Sequence, residues 1–248
     1  SSGSKGVIKC NQKSDIEHNF SYSIKESFSG IVVMEEFISG TEYSVETISK
    51  DGFTKVIAIT MKETSGEPYF VEISHTIPAK ISKNIEREIK AAVINTLKLL
   101  NYENGPAHTE LKYSSTGPKI IEVNPRPGGD NIWSSLVPLS TNINILKETI
   151  NNSLGEEIEV VEEKQKIVSL NYFYSNKEGH LKKIDFSPKI EVMKEVLEWN
   201  WYIKLNDPVK ALEQSRDRLG FFICTSDSYE ENDKIVDFVR QHTKFQVD

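Results

Sequence analysis

Apolar residues recur at helical spacing in two stretches near the start of this chain. Over residues 82–100, Ile85, Ile89, Val93, Leu97 and Leu100 share one face, which predicts an amphipathic helix. Over residues 14–27, Ile16, Phe20 and Ile24 do the same, with Ser14 and Glu17 spaced as a capping box. Strand-like patterns fill the ground between. EYSVETI and TKVIAIT flank SKDG, so a hairpin turning at Asp51-Gly52 is expected. IVVMEEFI at 31–38 predicts a buried strand, and PYFVEIS at 68–74 a third strand after a turn at Gly66. A helix is predicted over 143–154, ending at Gly155. Strands near 167–174, 180–186 and 219–225 and a helix near 229–242, capped by Ser228 and Glu231, complete the pattern. Trp199 and Trp201 alternate with polar neighbours and read as packing residues. This mixture predicts an α+β fold, antiparallel sheets with helices packed on one face. The polar run EEIEVVEEKQK at 156–166 reads as a boundary between residues 1–155 and a C-terminal mixed α/β subdomain, 156–248.

One hairpin carries candidate chemistry: GPAHTELKYSSTGPKIIEVNPRPGGD, residues 105–130. Strand side chains alternate faces, so Thr109, Leu111 and Tyr113 oppose His108, Glu110 and Lys112, while Ile121 and Val123 oppose Glu122 and Asn124. A three-residue loop with Gly117 left-handed sets Glu110 opposite Glu122. Like charges so placed are destabilising without compensation. Two carboxylates and an amide are the oxygen donors that Mg²⁺ takes together with phosphate. Two acids on a solvated sheet face is the other reading of those residues alone. Arg126 follows at once, fixed between Pro125 and Pro127, and Gly128-Gly129 permit close approach to a ligand. His108 shares the predicted face of Glu110 and is placed to support it. Lys62 reads as an exposed strand lysine, with contact to a phosphate as the alternative, and His75 as either a substrate contact or a plain strand-end residue.

Composition narrows the classes. Hydrophobic content of 38% and charged content of 27% fit a globular protein with a real core. No apolar run reaches the ~18 residues of a membrane span, and no signal peptide is evident at the N-terminus. A net charge of −7 speaks against a nucleic-acid surface. Cys10 and Cys224, the only cysteines, form no metal or disulfide pattern, so a cytoplasmic setting is expected.

The hairpin, with EEFISGTEYSVE at 35–46, SSGSKGV at the start and DRLGFFICT near the end, resembles the ATP-grasp superfamily of carboxylate–amine ligases. The resemblance is nearest the L-amino acid ligase and carbamoyl-phosphate-synthase-like branch. It implies an ATP-grasp fold over residues 1–155 with a lid-like C-terminal subdomain. Ser2, Gly3, Ser4, Lys5 and Gly6 would cover the phosphates of ATP. Glu35, Glu36, Phe37 and Ile38 would line the adenine, and Glu42 would accept the ribose hydroxyls. Glu110, Glu122 and Asn124 would hold Mg²⁺, with Mn²⁺ as an alternative. Arg126 would act in catalysis, and His75, Gly128 and Gly129 would meet the substrate. The resemblance further implies small-molecule carboxylate and amine substrates, an acyl phosphate intermediate, and a homo-oligomer at full length. Because the sequence opens at the phosphate loop, it reads as a C-terminal fragment with little activity alone. A nucleotide-binding scaffold without catalysis, or a carbamoyl-phosphate or purine-pathway ligase, are the rival readings.

Overall fold

The computed structural model describes residues 3–160 and 165–248, so part of the polar 156–166 run lies outside the described residues. A 3₁₀ turn, Lys13–Asp15, leads into α1 (Ile16–Lys25). The Ser14–Glu17 capping box is not formed. Ser14 sits inside the 3₁₀ turn, and Asp15 bonds back to the Gln12 backbone N–H at 3.2 Å instead.

Residues 31–38 are not a strand. Ile31, Val33 and Met34 are 69, 74 and 77% exposed. A strand needs a neighbour, and both edges of the strand that follows are already taken. That strand, β1 (Thr41–Lys50), pairs with β2 (Phe53–Thr64) and with β4 (Gly105–Ser114). The β1–β2 turn is the expected one, with Asp51 and Gly52 both at positive φ (51° and 78°). β3 (Glu72–Ile77) starts later than predicted. Phe70 takes φ 48°, its N–H reaches Gly66 O at 2.9 Å, and Ser65 N–H reaches Val71 O at 2.7 Å. Residues 65–71 are therefore a closed loop, and pairing begins only beyond it.

α2 (Lys83–Leu99) forms as its periodicity requires, N-capped by Ser82. Ile89, Val93 and Leu97 pack on Tyr43, Val45, Ala107 and Leu111, one face of the sheet. After β5 (Gly117–Asn124) come one π turn (Ile132–Leu136), α3 (Val137–Thr141) and α4 (Ile145–Ser153), the last followed by Gly155 at φ 79°. Ile132, Leu136, Val137 and Ile145 cover the opposite face over Ile48, Ile77, Val168, Leu170 and Ile223.

The remaining elements are β6 (Ile167–Phe173), β7 (Gly179–Phe186), α5 (Pro188–Glu191), β8 (Val196–Trp201), β9 (Pro208–Val209), β10 (Gly220–Ser226), α6 (Tyr229–Gln241) and β11 (Thr243–Val247). Among the described residues, one sheet runs β5-β4-β1-β2-β3-β6-β10-β8, every pairing antiparallel, and a small sheet runs β11-β7-β9. The large sheet thus crosses residue 156 without a break, through the β3–β6 pairing. Trp199 and Trp201 pack with Phe173, Phe186 and Phe245 between the C-terminal sheet elements and α6. This is the α+β arrangement of antiparallel sheets and covering helices.

Candidate functional site

Beyond the margin of the π turn, α3 and α4, the sheet face opposite α2 turns polar. Strand register lays its residues in three cross-strand rows. Lys112, Glu42, Lys62 and His75 form one; Glu122, Glu110, Ser44 and Thr60 the next; Asn124, His108, Glu46 and Ala58 the third. Glu110 does face Glu122, though the route differs from the one expected. The β4–β5 loop has two residues between paired Ser114 and Gly117, and a bulge at Ile121 restores the register. The bulge corrects the expected inward face: Ile120 joins Leu111 and Val123 in the core, and Ile121 is 43% exposed.

Lys62, read from sequence as exposed, is buried at 5% exposure. Its ammonium lies 2.8 Å from Glu110, 3.6 Å from Glu72 and 3.7 Å from Glu42. Burial opposes that charge, but Glu110, Glu72 and Glu42 together raise its pKa above the ordinary lysine value. His108 bridges two acids, Nδ1 on the fully buried Glu46 and Nε2 at 3.1 Å from Glu110. Burial would lower its pKa, yet the bonds to Glu110 and Glu46 raise it to about 9. Burial likewise disfavours charge on Glu110, and His108 with Lys62 reverses this, bringing it down to about 2.

The other oxygen of Glu46 accepts the Gly128 N–H at 3.0 Å. A Cβ at Gly128 would lie 2.6 Å from Glu46 Oε1 and 2.7 Å from His108 Nδ1, so only glycine fits this approach. Two residues on, Asp130 is 3.3 Å from His75 Nε2 and 3.0 Å from Arg218. Burial drives the fully enclosed His75 below its usual pKa, against the pull of Asp130. Asp130 is held well below the usual carboxylate range, its partial burial outweighed by His75 and Arg218.

A cleft of ≈ 270 Å³ adjoins the first row, lined by residues 37–42 with Lys62, Thr64, Phe70 and Lys112. Gly40 makes it possible: at φ 148° its Cβ position falls 2.3 Å from Tyr113 O. Phe37 and Phe70 meet at 5.6 Å, with Lys112 over both rings.

Phe37, Ile38 and Glu42 therefore line one cleft, whereas Glu35 and Glu36 are exposed and outside it. Ser4, Lys5 and Gly6 form a turn, with Ser4 and Gly6 at positive φ, that does not line the cleft; Ser2 lies outside the described residues. Asn124 donates its amide to Glu122. Arg126 is exposed and donates to Pro127 O at 2.8 Å, Gly129 is exposed, and Gly128 is buried. Sequence reasoning missed Glu46, Glu72, Asp130 and Arg218. All four lie inside segments already singled out, Glu46 in 35–46, Glu72 in 68–74, Asp130 in 105–130 and Arg218 in DRLGFFICT, but nothing local in those segments shows that they meet.

A divalent cation fits the chemistry of the Glu110, Glu122 and Asn124 set. Two carboxylates stand in register, and Glu122 has no ion pair among the described residues. The amide N of Asn124 is turned to Glu122, which leaves its oxygen as a hard donor.

The ATP-grasp domain family matches residues 1–135, and the family described as L-amino acid ligase C-terminal domain 2 matches 171–248. Protein y4rH of Sinorhizobium fredii is 25% identical over 239 residues, 95% of this chain and 49% of its own length. Carnosine synthase 1 of Gallus gallus is 26% identical over 98 residues, 40% of this chain and 10% of its own. The chain thus spans about half or less of the curated relatives it matches. Among solved structures, an L-amino acid ligase from Bacillus licheniformis superimposes with TM-score 0.76 at 25% identity, over 86% of this chain and 55% of that one. Phosphoribosylglycinamide synthetase from Anaerococcus prevotii gives TM-score 0.75 at 18% identity, over 98% and 64%, a likeness of fold alone.

Proposed function

The chain belongs to the ATP-grasp family, and on that premise we propose that it carries the site of an ATP-dependent ligase joining a carboxylate to an amine. One observation carries the reading: Glu110 and Glu122 in register beside a cleft bordered by Glu42 and Lys62. That an amino acid is among the substrates is supported by the match of residues 171–248 and by the Bacillus licheniformis likeness.

In this reading Phe37 and Ile38 wall the base and Glu42 accepts the ribose hydroxyls, since a carboxylate takes two donors. Glu35 and Glu36 flank that wall, and Ser4, Lys5 and Gly6, whose turn stands outside the cleft, would have to move over it to cover the phosphates. Glu110, Glu122 and Asn124 would hold Mg²⁺, which would supply neutralisation of phosphate charge. A substrate carboxylate oxygen attacks the γ-phosphorus and the bond to ADP breaks. The amine nitrogen then attacks the acyl carbon, the carbon–oxygen bond to phosphate breaks, and the nitrogen loses its proton. Arg126 neutralises charge on the transferring group, and His75, Gly128 and Gly129 border the reacting carboxylate and amine. Such chemistry depends on positioning more than on a protein nucleophile. The nucleotide and metal residues all fall in 1–155, with 156–248 as the second region.

The test is ADP release by the protein that carries this chain, with L-amino acids supplied singly and in pairs. Release should require Mg²⁺ and an amino acid, and should fall about 10²-fold in Glu122→Gln, the scale of one lost preorganised charge contact. Release that ignores both amino acids and Glu122→Gln contradicts the reading.

A further inference from the structure

Arg218 is 5% exposed and enters the site from the C-terminal region, just after a 3₁₀ turn (Ser215–Asp217) that precedes β10. Each nitrogen of its guanidinium donates to one of two separate elements. Nε donates to Glu72 O at 3.1 Å, one terminal nitrogen reaches the Glu72 carboxylate at 3.2 Å, and the other reaches Asp130 at 3.0 Å. The guanidinium carbon lies 3.7 Å above the Tyr172 ring. Glu72 begins β3, while Asp130 ends the Pro-Arg-Pro-Gly-Gly loop.

That loop needs holding. Asp130 and Asn131 are consecutive non-glycine residues at φ 50° and 58°, a left-handed conformation that L side chains disfavour. At its middle the loop is fixed by the Gly128 N–H on Glu46. At its end the backbone is tied by the Ile132 N–H on Gly129 O at 2.8 Å, and the Asp130 side chain, gripped by His75 and Arg218, adds the link to the sheet.

We infer that Arg218 is a positioning residue: it clamps Asp130 to β3 and so sets where the 125–131 loop stands over the polar sheet face. The planar fork serves acceptors on two elements at once while stacking on Tyr172, a task that a lysine ammonium on a flexible stem cannot reproduce. The region matched to the second family thereby completes a site otherwise built by the first. Its consequence for turnover rests on the ligase reading; its consequence for the loop does not.

The test is hydrogen exchange of backbone amides in Arg218→Lys, Arg218→Met, Asp130→Asn and the Arg218→Met/Asp130→Asn pair. Each single substitution should raise exchange at Gly128 and Ile132 at least tenfold, and the pair should add nothing further. The amides of Leu170 and Ile223, in the paired strands β6 and β10, should keep their rates. Unchanged loop exchange, equal loss of protection in loop and strands, or additive effects each overturn the inference. Should Arg218→Met fail to fold, Arg218→Lys, which keeps the charge, gives the same reading. In ADP-release assays Arg218→Lys should raise KM for the amino acid at least fivefold with KM for ATP unchanged. If the protein has no ligase activity, the exchange result still decides the clamp.

Discussion

At the scale of single residues, Lys62 is the most exacting. It is the cation shared by three carboxylates, and an uncompensated buried charge is far more costly than a missing pair. Lys62→Met should therefore lower unfolding stability by about 3–5 kcal/mol in urea melts; a loss below about 1 kcal/mol would place it with ordinary surface pairs. Gly128→Ala should destabilise too, since its Cβ enters the space of the Glu46 and His108 side chains. His75 and Asp130 give a pH signature. His75 has a depressed pKa in the fold, so below about pH 6.5 the unfolded chain takes up a proton that the native state refuses. Stability falls as pH drops through that value. Asp130 is also depressed; its contribution is present above about pH 4 and fades below it, in the same direction. Above about pH 6 the raised pKa of His108, about 9, works in the opposite direction, so the test window is pH 6 to 5, where urea midpoints should decline and His75→Gln should flatten that decline. A slope the substitution leaves untouched would contradict a neutral buried His75.

At the scale of elements, what sequence made legible was what is local. α2 shows its apolar stripe every three or four residues, and its cap is one serine away; Ser82→Ala should cost about 1 kcal/mol by thermal or urea unfolding. The Asp51-Gly52 turn needs only its own two residues. Glu110, Glu122 and Asn124 were readable for the same reason, because one hairpin sets their register. Even there the physics was subtler, since a shorter loop and a bulge at Ile121 reach the same pairing by another path. The failures needed distant partners. Residues 31–38 have strand composition but lead into β1, whose two edges are already paired with β2 and β4, and Phe70 in a left-handed conformation delays β3. Lys62 looked like a surface lysine because nothing local reveals that Glu72 and Glu110 close over it.

At the scale of the molecule, the large sheet is what brings the site together. β3 pairs with β6 from far along the chain, and β6 with β10, so Arg218 arrives beside Glu72 and Asp130 through pairings that no short window displays. The compositional break at 156–166 marks a change in sequence, while the strands on either side join one sheet. The apolar cores under α2, under the π turn and α3, and beside α6 leave one polar tract on the sheet, and the hairpin acids stand on it. In the proposed function this tract is a metal–nucleotide site. Isothermal titration with ATP, in Mg²⁺ and then in EDTA, on the wild-type protein and on Glu122→Gln, tests it most directly. Binding should require Mg²⁺ and weaken sharply in Glu122→Gln; ATP binding of equal strength in EDTA and in the variant would contradict a metal–nucleotide site here.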